Sequence, residues 1–128
     1  MILDTTVLID LQKELRRGQP GAASRLLESS GDDPVFITFV TWMEFAEGFG
    51  DTGRPDCERF LSSFRTLWPD VETAWLASRT SRALRTAGEP LADHDLWISA
   101  LAVQHGRAVV SRNERHFRRV PGLSLRVY

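Results

Sequence analysis

Apolar residues are grouped along the chain in short continuous runs and in helical spacings. Short runs at 1–3 and 108–110, which end at polar residues, and the run at 35–39, which is rich in β-branched and aromatic residues, are typical of buried β-strands. Residues 123–128 alternate apolar and polar side chains and predict an edge strand. Apolar side chains three and four apart predict helices over 5–15, 22–29, 41–49, 56–68, 71–86 and 94–104. Strands that alternate with helices predict an α/β fold with a parallel sheet covered on both faces.

The helix predicted over 94–104 is the most apolar of these elements. From Leu96 to Val103 only Ser99 is polar, so this helix is expected to be buried. Asp93 and Asp95 mark its start, where unpaired N–H groups and the helix dipole favour negative charge. A buried helix that opens with carboxylates can hold them against a cation.

Other polar residues follow the predicted strands. Asp4 ends the first strand, and residues 111–113 follow the strand at 108–110. Glu44 and Asp95 are expected in first helical turns. Ligands of parallel α/β sheets bind outside the carboxyl ends of strands and beside helix N-termini. The four positions therefore point to one crevice.

Each acid also has a purely structural interpretation. Asp4 can be a helix N-cap, and Glu44 lies three residues after Thr41, which is the spacing of a capping box. Asp93 can cap the buried helix. Residues two apart on a helix point in different directions, so Asp95 is the better candidate ligand and Asp93 a cap or a secondary ligand.

Converging carboxylates repel one another and raise each other's pKa unless a cation is bound. Oxygen ligands of this kind suit Mg²⁺ or Mn²⁺, which can activate water for attack on a phosphodiester. His94, His105 and His116 lack zinc-ligand spacing, and we assign them to polar surface or helix-end positions rather than to catalysis. The pattern favours a metal-dependent nuclease.

Composition sets the broad class. A chain of 128 residues with 42% hydrophobic and 26% charged residues predicts one globular domain over 1–128. The net charge of −1 indicates no particular partner. Cys57 is the only cysteine, the start has no basic segment, and no apolar run has membrane-spanning length. We therefore expect a cytoplasmic protein that does not enter membranes.

Two surfaces have open interpretations. Lys13 is the only lysine among 16 basic residues, and the arginines concentrate in residues 107–128, where Glu114 is the only acid. That segment is either a solvated edge or a phosphate-binding surface. The helix predicted over 41–49 carries more apolar surface than its own packing needs, so it is either core or a face for a protein partner.

Four segments, taken in order, resemble the PIN-domain ribonucleases, most closely the VapC-type toxins of bacterial toxin–antitoxin pairs. They are Leu3–Ile9, Val40–Glu44 with Glu47 and Gly48, Asp95–Ala102, and Val109–Phe117. The resemblance implies a three-layer α/β/α fold with a parallel central sheet and RNA cleavage that depends on Mg²⁺ or Mn²⁺. It also implies a homodimer and neutralisation by a cognate antitoxin.

By position, the resemblance implies a catalytic acidic site of Asp4, Glu44 and Asp95. Asp4 and Asp95 would hold the metal, Asp93 would be an adjacent acid, and Thr6 would be a polar neighbour of the ion. Asn113 stands where many members have a fourth acid, so a single strong metal site is the expectation. Ser111 and Ser99 are mild departures, and Arg112 and Arg115 are the candidates for contact with the RNA backbone.

Two other functions stay open at this point. A PIN-like scaffold that binds a partner and has lost catalysis is compatible with the neutral Asn113. A metal-dependent nuclease acting on DNA or a flap is the third hypothesis, although such enzymes usually carry additional elements that guide strands.

Overall fold

The computed structural model describes all residues from Met1 to Tyr128 as five strands and seven helices. The strands are β1 (Ile2–Leu3), β2 (Phe36–Thr38), β3 (Arg65–Leu67), β4 (Val109–Val110) and β5 (Leu125–Arg126). The helices are α1 (Thr5–Arg17), α2 (Ala22–Ser29), α3 (Phe39–Ala46), α4 (Arg54–Leu61), α5 (Val71–Thr86), α6 (Asp93–Gln104) and α7 (Glu114–Phe117). Strands and helices alternate through most of the chain, as the apolar pattern predicts.

The five strands form one parallel sheet in the order β3-β2-β1-β4-β5. Ile2 in the central strand β1 pairs with Phe36 on one side and Val109 on the other. The chain leaves β1 first toward one edge of the sheet and later adds β4 and β5 on the other side. The strand order therefore reverses at β1, which places a crevice outside the carboxyl ends of β1 and β4.

Side chains alternate between the two faces of the sheet, and each face carries its own core. Leu3 and Val110 belong to the core that also contains residues of α1, α2, α3 and α4. Ile2 and Val109 belong to a second core with residues of α6 and α7. Successive strand residues point to opposite faces, so two-residue strands are enough to anchor helices on both. The predicted three-layer α/β/α arrangement is confirmed.

Helix α6 is buried, as its composition predicts, and α5 covers it. Ser99 and the apolar residues around it, Leu96, Ile98, Ala100, Leu101 and Ala102, are almost fully buried. Asp70 caps α5 and accepts hydrogen bonds from Gln104 at the end of α6. The two helices therefore run antiparallel. None of the helices is both long and apolar enough to cross a membrane.

The helix predicted over 56–68 is wrong beyond Leu61. Helix α4 ends there, and residues 65–67 form β3, which pairs with β2. Ser62 and Ser63 favour turns over helix interiors, and Pro69 biases the residue before it toward extended backbone. The apolar spacing continues through this segment, but backbone pairing with β2 determines its structure.

The start of α3 also differs from the prediction. Thr38 is the N-cap, and its hydroxyl accepts a hydrogen bond from the backbone N–H of Thr41 at 3.1 Å. The capping box predicted from Thr41 and Glu44 is therefore wrong, and Glu44 lies in the second turn of α3 instead of the first. At α6 the N-cap is Ala92, so Asp93 is the first helical residue and not the cap.

Candidate active site

Asp4 lies in the crevice at the carboxyl end of β1. It holds the N-cap position of α1, but its side chain forms no capping hydrogen bond. Its Oδ2 instead accepts hydrogen bonds from Ser111 Oγ at 2.6 Å and from Thr6 Oγ1 at 3.1 Å. Only 6% of Asp4 is exposed. Asp4 therefore has the predicted N-cap position, but its carboxylate bonds Ser111 and Thr6 instead of capping the helix.

Burial raises the pKa of Asp4 above its ordinary value of 3.8, and the nearby charge of Asp95 raises the pKa further. Hydrogen bonds from Ser111 and Thr6 oppose this shift but do not cancel it. Removal from water and a like charge both disfavour the ionised carboxylate. A cation beside Asp4 would relieve both effects.

Asp95 and Asp4 both contact residues of the segment that follows β4. Asp95 Oδ2 lies 2.9 Å from His116 Nδ1, which lies 2.7 Å from Asn113 Nδ2. The backbone N–H of Asn113 donates to Ser111 Oγ at 2.8 Å, and Ser111 donates to Asp4. The segment after β4 therefore supplies the groups that fix both carboxylates.

Glu44 reaches the same end of the sheet from α3. Its Oε2 accepts a hydrogen bond from Thr5 Oγ1, and its Oε1 lies 2.8 Å from His94 Nδ1. Thr5 is adjacent in sequence to Asp4, and His94 is adjacent to Asp95. Glu44 is therefore held between the neighbours of the two aspartates, with both of its oxygens engaged.

The donor chemistry of the site fits the predicted cation. No group of three or more His, Cys, Asp or Glu side chains is spaced to hold a metal ion. Magnesium is commonly held by one or two carboxylates, with water and substrate phosphate completing its coordination. Asp4 and Asp95 supply two such carboxylates, so these residues fit a hydrated Mg²⁺ or Mn²⁺.

Among the remaining predicted residues, some contact the acids and others do not. Thr6 contacts Asp4, whereas the Asn113 side chain contacts His116 and no acid. Asp93 is exposed, lines a cleft between α5 and α6, and contacts none of the acids. Asp93 and Asp95 are two residues apart on α6, so their side chains point in different directions. Asp95 contacts the site, and Asp93 does not.

The two predicted RNA-backbone arginines differ in their contacts. Arg112 forms an ion pair with Asp10 at 2.6 Å and lies 5.9 Å from the centre of the Tyr128 ring. Arg115 is exposed and forms no ion pair. Arg115 therefore has the freer positive charge.

Three residues of the site were not predicted as members of it: Thr5, His94 and His116. Ser111 was expected at this crevice, and it donates to Asp4. His94 and His116 lie at helix ends, as predicted, but each of them also contacts an acid of the site. For His116 the sequence holds one signal, since it follows the predicted site residue Asn113 by three positions. The contact of His94 with Glu44 joins residues 50 apart in the chain and has no local signal.

Comparison with known proteins gives the family. The PIN-domain family matches residues 1–123. Ribonuclease VapC1 of Methanocaldococcus jannaschii is 28% identical over 132 aligned residues, covering 100% of this chain and 86% of that protein. The tRNA(fMet)-specific endonuclease VapC of Salmonella typhimurium is 29% identical over 94 residues, covering 70% of this chain and 71% of that protein.

Comparison with solved structures also gives a match over nearly the whole chain. VapBC2 from Rickettsia felis, solved with a DNA fragment from its promoter, matches with a TM-score of 0.83 at 18% identity. The match covers 99% of this chain and 97% of that chain. At this identity the likeness concerns the fold alone. The chain thus belongs to the PIN-domain family, and the relatives that its sequence resembles are ribonucleases of the VapC type.

Proposed function

We propose that this protein is an endoribonuclease that depends on Mg²⁺ or Mn²⁺ and acts as the toxin of a toxin–antitoxin pair. The observation that carries the proposal is the buried Asp4 carboxylate close to Asp95, with Ser111 donating to Asp4 and His116 contacting Asp95 from the same segment after β4. The relatives named as ribonucleases support RNA as the substrate. The metal requirement is supported by the raised pKa of Asp4 and by the donor chemistry.

Asp4 and Asp95 would hold the cation. When bound, the ion would lower the pKa of a water and neutralise charge on the phosphodiester. Ser111 and Thr6 both donate to Asp4 Oδ2 and hold the carboxylate in place. His116 orients Asp95 in the way that outer partners fix metal ligands.

Glu44 would position the attacking water or the metal ion from its place on α3. Thr5 and His94 hold its carboxylate and stop it from rotating away. Asp93 contacts none of these groups, so its role as an adjacent acid stays a prediction from the resemblance. Arg115, and Arg112 beside Asp10, are the proposed contacts for the RNA backbone.

A cognate antitoxin and a homodimer belong to the same proposal. VapBC2 of Rickettsia felis is described as a complex bound to promoter DNA. On this chain an apolar cleft lies between α1, α2 and α4, lined by Leu11, Leu15, Leu27, Val35, Phe60 and Phe64. An apolar helix of a partner protein would bury that surface.

Cleavage of labelled RNA by purified protein tests the proposal. We expect cleavage with Mn²⁺, none with EDTA, and none from Asp95→Asn. Asp32→Asn, in the exposed turn after α2, is the matched control and is expected to cut normally. Silence on every RNA, with or without metal, would favour the binding scaffold. Cleavage of DNA but not RNA would favour the third hypothesis.

A further inference from the structure

Helix α5 presents a polar and aromatic face that the acidic site does not use. Its exposed positions follow one side of the helix at helical spacing: Trp75, Ser78, Arg79, Arg82, Arg85 and Thr86. The arginines share a shallow surface cleft with serine and threonine side chains, and no hydrophobic residue lines it. A face of this composition is suited to a polar, negatively charged ligand.

The positive charge of this face is not neutralised within the molecule. Arg79, Arg82 and Arg85 form none of the ion pairs in the structure. Glu72, in the first turn, is the only acid of α5. Exposed arginines elsewhere, such as Arg54 and Arg118, do pair with carboxylates. Unpaired arginines in a row on one helix are the electrostatic pattern of a polyanion-binding surface.

Trp75 adds a feature that a simple anion would not need. Its side chain is 56% exposed, and the Arg79 guanidinium lies 4.5 Å from the centre of its ring. Exposed aromatic rings beside arginine are the surfaces on which unpaired nucleic-acid bases stack. The combination of ring and charges matches a base followed by phosphates.

The position of this face also links it to the site. Because α5 and α6 run antiparallel, the end of α5 that carries Arg82 and Arg85 lies toward the start of α6. Ser78 and Ser81 border both the arginine cleft and the neighbouring cleft that Asp93 lines. A strand leaving the acidic site past the start of α6 therefore meets α5.

We propose that the α5 face, defined by Trp75, Arg79, Arg82 and Arg85, binds the backbone of single-stranded RNA outside the acidic site. The choice of RNA rests on the proposed function. Six residues of helix rise by about 9 Å from Arg79 to Arg85. The three arginines are therefore spread over more than one phosphate group of an extended strand.

The test measures binding of a labelled single-stranded RNA oligonucleotide of mixed sequence in EDTA, where the proposed cleavage cannot occur. The variant changes Arg79, Arg82 and Arg85 to Gln. The matched control changes Arg16, Arg17 and Arg25 to Gln, because these arginines are also exposed and unpaired but lie on α1 and α2. Both variants lose the same charge, so only position separates them.

We expect the α5 variant to bind about tenfold to a hundredfold more weakly, and its salt dependence to lose a slope of about two. Trp75→Ala is expected to weaken binding by about fivefold without changing that slope. Equal losses in the two arginine variants would overturn the proposal. So would an altered oligomeric state of the α5 variant in sedimentation, since that would assign the face to a second copy of the chain.

The two proposals fail separately. If the unaltered protein cuts no RNA in Mn²⁺ yet the α5 variant alone loses binding, the nuclease proposal fails and the α5 surface stands. If cleavage occurs but RNA binding is the same in all arginine variants, the α5 surface fails and the nuclease stands.

Discussion

Two carboxylates near opposite ends of α1 have opposite electrostatic settings. Asp4, at the start, is buried beside Asp95, and its pKa is raised. Glu14, in the last turns, accepts hydrogen bonds from the backbone N–H groups of Ala23 and Ser24 and from the Ser24 hydroxyl at 2.6–3.0 Å. Burial opposes ionisation of Glu14, but these bonds outweigh it and lower its pKa from 4.5 to about 2.

The difference shows that Glu14 stabilises the fold, whereas the Asp4 carboxylate is suited to binding a ligand. Glu14 satisfies unpaired N–H groups at the start of α2, which is the work of a helix cap. Burial raises the pKa of Asp4 by disfavouring its ionised form, and the hydrogen bonds to its carboxylate offset that effect incompletely. Sites that bind ligands commonly carry such uncompensated cost, because the ligand supplies the missing interaction.

The largest expected effect contrasts the two carboxylates in activity. Asp4→Asn is expected to lower RNA cleavage by about a thousandfold, since a bound metal stabilises the transition state by several kcal/mol. Glu14→Gln is expected to leave cleavage unchanged. Initial rates in Mn²⁺ measure both. Full activity of a folded Asp4→Asn protein would contradict the site.

The next effect compares the partners of the two carboxylates. His116→Ala removes the group that orients Asp95 and is expected to weaken Mn²⁺ affinity by about tenfold to a hundredfold. Ser24→Ala removes the hydroxyl bound to Glu14 and should leave Mn²⁺ affinity unchanged. Titration calorimetry of both variants measures this, and an equal loss in the two would contradict a specific role for His116.

A smaller effect concerns stability. Glu14→Gln is expected to lower the free energy of unfolding by about 1 kcal/mol at neutral pH, because the α2 cap loses its charge. The folded pKa is lowered, so this contribution is present above 4.5 and is lost as the pH falls toward 2. Urea unfolding across that range measures it. A difference between the proteins that does not shrink on acidification would contradict the assigned cause.

The smallest expected effect has the opposite sign. Without metal, Asp4→Asn is expected to raise the melting temperature at neutral pH, because Asn needs no ionisation in a buried place. The folded pKa of Asp4 is raised, so its cost is absent below 3.8, grows as the pH rises above 3.8 and is complete above the folded pKa. Thermal unfolding in EDTA at neutral pH and below pH 3.8 checks this. A lower melting temperature for Asp4→Asn at neutral pH would contradict it.

Much of the fold follows from local patterns in the sequence. The β-branched and aromatic run at 35–39 and the apolar run at 108–110 predict β2 and β4, and the apolar spacing over 71–86 predicts α5. Strand β3 could not be predicted in this way. Phe60, Phe64 and Leu67 keep a helical spacing, and only pairing with the distant β2 overrides it.

The residues of the site also differ in whether local sequence patterns or long-range packing determine their positions. Asp4 and Asp95 could be predicted because a strand end and a helix start mark them locally. The spacing of Thr41 and Glu44 matches a capping box, and the sequence alone favours that assignment. The actual N-cap is Thr38, three residues before Thr41, so two threonines at the same spacing competed for one helix start. The contacts of His94 and His116 join residues 50 and 21 apart, so packing and not local sequence determines them.

The most direct test of the central claim is Mn²⁺ binding by titration calorimetry at neutral pH. The account predicts binding by the unaltered protein, at least tenfold weaker binding by both Asp4→Asn and Asp95→Asn, and unchanged binding by Glu14→Gln. Equal Mn²⁺ affinity in Asp4→Asn and the unaltered protein would contradict a shared ion between Asp4 and Asp95.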